Sequence, residues 1–338
     1  MRDAATVLCF ISLSHSIVIP TTRSFERVIM DYLWHIESDE QCILNREECE
    51  FIASHYELCY LWTTHEYIKN SVVDTIITGS SYGVNDIEPK FMNHKVANLS
   101  MHNQDLYYDC LQIRKALQEN DGIKNVVMLF GYYSMFYDLS LGNNSYKCRD
   151  IYIPLLGDGH HYTESNDSYE DLNNLISRYK NKVLDYFGAV PEYYGKAVER
   201  EIINGDVYCK AGWYRLDGNT RKKMAFDRCQ KHNKHFRYLK TYEESVFLLT
   251  DLFKFLDENG VKIFIVIPPF TPEYRMAIKK DYQQCLMELL NNVPQEIRFM
   301  DMNEIGFDSI KYFIDHDHLN LRGAIEASRV IDAFIDSV

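Results

Sequence analysis

Apolar positions along this chain change period from one region to the next. At residues 23–36 and 47–68 they recur every three or four positions, which predicts helices. Phe51, Tyr56, Tyr60, Trp62 and Tyr67 give the second of these an aromatic face. From residue 72 short β-branched runs alternate with helical stretches. Strands are predicted at 72–78 (Val72, Val73, Ile76, Ile77), 95–99, 125–130, 261–267 and 297–300, and helices at 103–119, 242–258, 280–291 and 322–335. Apolar strands separated by helices point to a parallel sheet with helices on both faces. Residues 132–240 break the rhythm with turn clusters (Gly142-Asn143-Asn144, Gly157-Asp158-Gly159), many aromatics and a helical stretch around 169–186.

The expected fold is therefore α/β, three layers with a parallel sheet of about five strands and flavodoxin-like layering. Residues 1–70 read as a helical N-terminal cap or interaction segment. Residues 71–338 read as the α/β domain, with a long insertion at 132–240 that walls or covers a site built on the sheet.

Composition narrows the partners. Of 338 residues, 46% are hydrophobic and 25% charged, as in ordinary globular domains. A formal net charge of -13 argues against general nucleic-acid binding while leaving room for a local basic groove. Nine cysteines without a C-x-x-C pair read as scattered reduced thiols, which suggests the cytoplasm. The apolar stretch at 4–20 is interrupted by Ser12, Ser14 and His15; it is too short for a membrane span and a poor signal peptide. No transmembrane segment is expected.

Two stretches could carry chemistry together. Gly79-Ser80-Ser81-Tyr82-Gly83 follows the first predicted strand and fits G-x-S-x-G, with Ser81 in the middle. A sharp strand-to-helix turn exposes such a hydroxyl and aims backbone N–H groups at a developing oxyanion. Without a catalytic partner, the same five residues describe a tight turn with a capping serine. A serine nucleophile needs a base, and Asp315-His316-Asp317-His318 near the end of the chain offers one. Its three-residue spacing lets one loop present both His318 and an orienting carboxylate, Asp315.

With these blocks in view, the sequence resembles the SGNH (GDSL-like) hydrolase superfamily. The matching residues are Gly79-Ser80-Ser81 and Asp315-His316-Asp317-His318-Leu319-Asn320-Leu321-Arg322-Gly323-Ala324. The Ser-Ser form is similar to the branch acting on cell-envelope polysaccharides, including alginate O-acetylation and teichoic-acid D-alanyl transfer proteins. The resemblance covers residues 72–131 and 241–338. It implies Ser81 as nucleophile, His318 as base and Asp315 as its orienter, with no cofactor. It also implies a carbohydrate or acylated glycopolymer substrate, an acyl donor if the reaction is a transfer, and a bacterial surface-polysaccharide pathway. The chain departs from the family at the oxyanion hole: Ser100 stands where a glycine N–H is usual, and Tyr133 where an asparagine is usual. The expected oxyanion groups are thus Ser81, Ser100 and Tyr133. The departures leave a second reading open, a weak or inactive member that binds a glycan or assists polysaccharide assembly.

Asp315, His316, Asp317 and His318 also form a possible metal set, with His160-His161 or His232 and His235 as remote partners; the serine reading is preferred and no metal is assigned. Finally, residues 221–240 hold eight lysines and arginines against one acid, Asp227. Arg221, Lys222, Lys223, Arg228 and Lys231 are the candidate contacts to an anionic glycan, a phosphate or an acyl donor. A solvated helix face is the competing account of the same run.

Overall fold

The computed structural model describes residues 45–163, 169–188, 190–191, 200–203, 206–209, 213–307 and 309–337. The helix expected at 23–36 and the apolar stretch at 4–20 lie outside them. Within them, α1 (Arg46–Ser54) starts on a capping box between Asn45 and Glu48. It is followed by α2 (Tyr56–Asn70). The single helix expected over 47–68 is broken at His55, whose ψ of 26° leaves the helical range.

Strand β1 (Thr75–Gly79) is buried along its whole length and runs into a short helix α3 (Ser81–Asn85). It begins three residues later than expected, since Val72 is 80% exposed. After β2 (Val96–Asn98) come α4 (Leu106–Glu119) and β3 (Asn125–Leu129). The insertion contributes α5 (Ile153–Leu156), α6 (Tyr169–Phe187), an antiparallel pair β4 (Arg200–Ile203) and β5 (Asp206–Cys209), and α7 (Gly218–Asn233). The chain then returns to the sheet through α8 (Leu239–Glu258), β6 (Lys262–Ile267), α9 (Pro272–Ala277), α10 (Asp281–Asn292), β7 (Ile297–Asp301) and α11 (Leu321–Asp336).

The sheet is five-stranded and all parallel, in the order β2-β1-β3-β6-β7. The expected α/β fold with a parallel sheet is what the chain forms. Crossovers between parallel strands are right-handed, so the direction of each step chooses a face. The steps β2 to β3 and β3 to β6 run the same way and put α4 and α8 side by side, tied by Arg114 Nη2 to Asp251 Oδ2 at 2.6 Å. The step β1 to β2 runs the other way. Its connection meets α11, where Ser328 Oγ accepts the Glu88 N–H and Asp332 accepts the Asn93 N–H. Phe334 of α11 packs on Phe264 of β6 with centroids 5.3 Å apart. The strand order reverses between β1 and β3, and the crevice beyond their carboxyl ends is where open α/β sheets place their ligands. Ser81 stands there.

Residues 45–70 pack on this domain. Tyr60 Oη donates to the Asn98 carbonyl at the end of β2, and Phe51 meets Tyr179 of α6 at 4.7 Å. The N-terminal helices thus touch both the sheet and α6.

Candidate active site

Ser81 is set by the turn that ends β1. Gly79 has φ 146°, and a Cβ there would come within 2.7 Å of the Leu129 carbonyl; only glycine fits this backbone beside β3. The chain reverses into α3, whose N-cap Ser80 makes no side-chain cap bond. The N–H groups of Gly83 and Val84 donate back to the Ser80 carbonyl, at 3.0 and 3.4 Å, and close the turn.

The partner loop arrives from 233 residues away in sequence on specific anchors. Leu319 N–H donates to Asp86 Oδ1, at the end of α3, at 2.7 Å. Thr271 holds the His316 carbonyl through Oγ1 at 2.8 Å and N–H at 3.2 Å. Asp315 Oδ1 accepts the N–H groups of Asp317 and His318 at 2.9 Å each, folding the loop over its own carboxylate. As a result Ser81 Oγ lies 2.8 Å from His318 Nε2. His318 Nδ1 lies 3.0 Å from Asp315 Oδ2. The three residues named from the sequence as a triad are thus in contact in the expected order.

Sequence reasoning missed three neighbours. Asp317 is fully buried, 3.5 Å from His318 Nδ1 through Oδ1, and its Oδ2 is 3.1 Å from Arg228 Nε. Burial alone would raise its carboxyl pKa, but the charges of His318 and Arg228 hold it well below the usual carboxylate range. Asp86 is buried with Oδ2 unpartnered, and burial pushes its pKa up to about 7. Tyr82 packs on the His318 ring at 5.4 Å and its Oη reaches Asp317 Oδ2 at 3.4 Å. Asp317 was visible only as one member of a metal set; Asp86 and Tyr82 left no signal, because their roles depend on burial.

These acids act on the base. Burial alone would lower the His318 pKa; the carboxylates of Asp315 and Asp317, with the Asp315 hydrogen bond, override it and bring the pKa up to about 10. The raised pKa shifts the resting ring toward the imidazolium, and only the neutral ring can take the proton on Ser81. The same field stabilises the imidazolium that forms when Ser81 attacks.

The oxyanion groups are divided. The Ser100 N–H donates to Asn98 Oδ1 at 3.0 Å, and its buried Oγ lies against Gly83, where a Cβ would come within 1.9 Å of it. That N–H already has an acceptor, which bears on the oxyanion role expected of it. Tyr133 is at the site, its ring tilted against His232 with centroids 4.0 Å apart, and Tyr82, Arg228 and Asp317 all act on its phenol.

Of the cations expected to bind ligand, the structure brings one to the triad. On α7 the positions of Arg221, Ala225, Arg228, Cys229 and His232 share the inner face, following the helical period. Arg228 reaches Asp317, whereas Arg221 Nε pairs with Glu273 Oε1 at 3.1 Å. Lys222, Lys223 and Lys231 are exposed on the outer side, so the solvated-face account applies to them. Charge density along the sequence counted both faces together. From the same insertion, the fully buried Trp213 packs edge-on to His316 at 5.7 Å and so supports the triad loop from beneath. His160 and His161 join Asp138 and Glu244 instead of the triad loop.

Two surface hollows of about 240 and 270 Å³ lie elsewhere. Tyr132, Arg275 and Asp301 line one, Trp62, His65 and Glu119 the other. Neither is lined by Ser81, His318 or Asp315, and size without convergent reactive groups does not make a catalytic site.

No family model and no curated protein matches the chain. Among solved structures, one from Streptococcus pneumonia, provisionally named a platelet activating factor, is similar at 11% identity and a TM-score of 0.40. The match covers 82% of this chain and 91% of that one. A likeness at this level carries no argument about the site. Among the described residues no helix is long and apolar enough to cross a membrane.

Proposed function

We propose that this chain performs serine-dependent ester chemistry, acyl transfer or deacylation, on a carbohydrate or surface glycopolymer, as a member of the SGNH-like group that its sequence blocks resemble. The observation that carries the proposal is the contact of Ser81 Oγ with His318 Nε2 at 2.8 Å, with Asp315 on the opposite ring nitrogen. His318 takes the Ser81 proton as Oγ attacks the ester carbonyl carbon. The carbonyl electrons move to the oxyanion, which the Ser81 N–H receives. When they return, the bond to the sugar oxygen breaks and His318 gives that oxygen its proton. Water or an acceptor hydroxyl then resolves the acyl–Ser81 ester by the same steps in reverse. The partly exposed ring of Tyr133 and guanidinium of Arg228 beside the triad support a sugar ring or an anionic group as the recognised part. Reduced thiols at Cys59, Cys110, Cys148, Cys229 and Cys285 fit a cytoplasmic setting.

Intact-mass spectrometry after treatment with a fluorophosphonate probe tests the reading. One adduct on the wild type, absent from Ser81→Ala and His318→Ala, supports it; a folded wild type that takes no adduct overturns it. A second reading is a catalytically weak glycan-binding relative. It is favoured by the occupied Ser100 N–H and the raised pKa of His318. One oxyanion donor contributes about 3 kcal/mol to the transition state, so the first of these alone would slow the reaction without abolishing it.

A further inference from the structure

The insertion builds a second cluster of imidazoles and carboxylates that the serine chemistry does not use. Asp138 follows β3, His160 and His161 lie between α5 and α6, and Glu244 projects from α8. One ligand atom from each lies within 4.8 Å of the others. Both imidazoles turn Nε2 toward Glu244 Oε1, at 3.1 Å for His160 and 3.8 Å for His161. Asp138 lies along the opposite ring edges. Its Oδ2 is 2.8 Å from His161 Nδ1, and its Oδ1 is 3.6 Å from His160 Nδ1.

Ordinary ion pairing leaves several features unexplained. The His160 side chain is only 7% exposed, yet its buried Nδ1 has no hydrogen-bond partner, because Asp138 stands just too far away. Its backbone has φ 53°, in the left-handed region that side chains with a Cβ rarely adopt. The N–H of His160 donates to Asp158 Oδ1 at 2.8 Å, which holds that conformation. Tyr107 stacks on the ring at 3.8 Å and fixes its plane. Asp105 adds to the field of Asp138 and Glu244, so three carboxyl groups act on the pair of imidazoles. Such a charge balance calls for a cation.

Tetrahedral zinc holds nitrogen and oxygen ligands at about 2.0–2.2 Å, which separates its donors by about 3.3 Å. The 3.1 and 3.8 Å spacings to Glu244 bracket that value. A carboxylate on the far nitrogen of a ligating imidazole is the usual device that fixes its ring, and Asp138 occupies that position for both. A small contraction around an ion would bring Asp138 within hydrogen-bond distance of His160 Nδ1. Mixed imidazole and carboxylate donors suit a first-row divalent cation.

We propose that His160, His161 and Glu244 bind a divalent metal ion, with zinc the best match, and that Asp138 orients the two imidazoles from behind. The ion ties the 157–163 loop of the insertion to α8. Since His161 and Glu244 are partly exposed, a water molecule completes the coordination. Binding displaces to solvent any proton on the ligating nitrogens.

The test uses the full chain, stripped with chelator and then equilibrated with zinc. Expected are one zinc per chain by elemental analysis and a melting temperature several degrees above that of the stripped protein. His161→Ala, at the more exposed ligand, and Glu244→Gln should each lose the bound metal and the melting shift. Asp138→Asn should weaken zinc affinity by about tenfold. Asp315, His316 and Asp317 also lie close together, so His316→Ala serves as a control that should keep the metal. A wild type that holds no zinc overturns the proposal, as does zinc retained with unchanged affinity in both His161→Ala and Glu244→Gln.

Discussion

His318 and His160 each sit among acidic groups, and at both burial works against the imidazolium while the carboxylates win. The His318 pKa is raised to about 10 and the His160 pKa to about 9. The two sites differ at the second ring nitrogen. At His318 it faces the Ser81 hydroxyl at 2.8 Å; at His160 it faces the Glu244 carboxylate at 3.1 Å. A hydroxyl can give up a proton and become a nucleophile, so the first ring is placed to exchange protons. Acids at both edges leave the second ring as a fixed cation or a metal ligand. The number of neighbouring carboxylates therefore says little about role; the group at the remaining nitrogen decides it.

Breaking the first site should give the largest effect. Ser81→Ala or His318→Ala should reduce labelling or ester turnover by at least about 10³-fold, measured as rates with the fold checked by circular dichroism. Asp315→Asn should follow at about 10²–10⁴-fold, since it removes the acceptor that fixes the ring tautomer. His161→Ala, by contrast, should leave these rates unchanged.

Asp317→Asn sharpens the comparison by removing one negative charge while keeping the shape. Neutral His318 is the active base, so the wild-type labelling rate should rise with pH toward about 10. In Asp317→Asn the midpoint of that rise should move to lower pH, giving faster labelling near neutrality. An unmoved midpoint would mean that Asp317 serves the fold and not the base.

A smaller effect is expected on stability. A histidine whose pKa is 6.5 unfolded and about 9 folded stabilises the protein fully below 6.5, and that contribution fades as pH rises through about 9. In chelator, wild-type melting temperature should fall over this window more steeply than that of His160→Gln. His318 contributes the same sign in both proteins and cancels. With zinc present the trend should weaken or reverse, since metal competes with protons. Smallest of all, Lys222→Ala and Lys231→Ala should change stability by no more than about 0.5 kcal/mol and leave labelling unaltered, as befits exposed residues on the outer side of α7.

Much of this was legible in one chain. The β-branched runs of β1, β3 and β6 and the apolar stripes of α4 and α8 have local causes, so period and burial agree. The Gly79-Ser80-Ser81 turn and the Asp315–His318 spacing were equally legible, because a turn and a short loop are local geometry. The N-terminal boundary of β1 was missed because Thr75, not Val72, is where pairing with Val96 and Asn125 begins. The bond from the Ser100 N–H to the side chain of Asn98, two residues away, left no signal because it forms only once the loop closes.

By itself the sequence determined the strands and main helices of the parallel-sheet layers, and it pointed to one serine and one histidine as chemically suited to each other. Periodicity and turn chemistry act over a few residues and can be read in order. Tertiary structure decided the rest: that Arg228 and not Lys222 faces the site, that Asp317 and Asp86 bear on His318, and that Asp138, His160, His161 and Glu244 converge. These are matters of distance and dielectric between residues far apart in the chain, and a carboxylate acquires its effect on a neighbour only when folding brings the two together and removes the water between them.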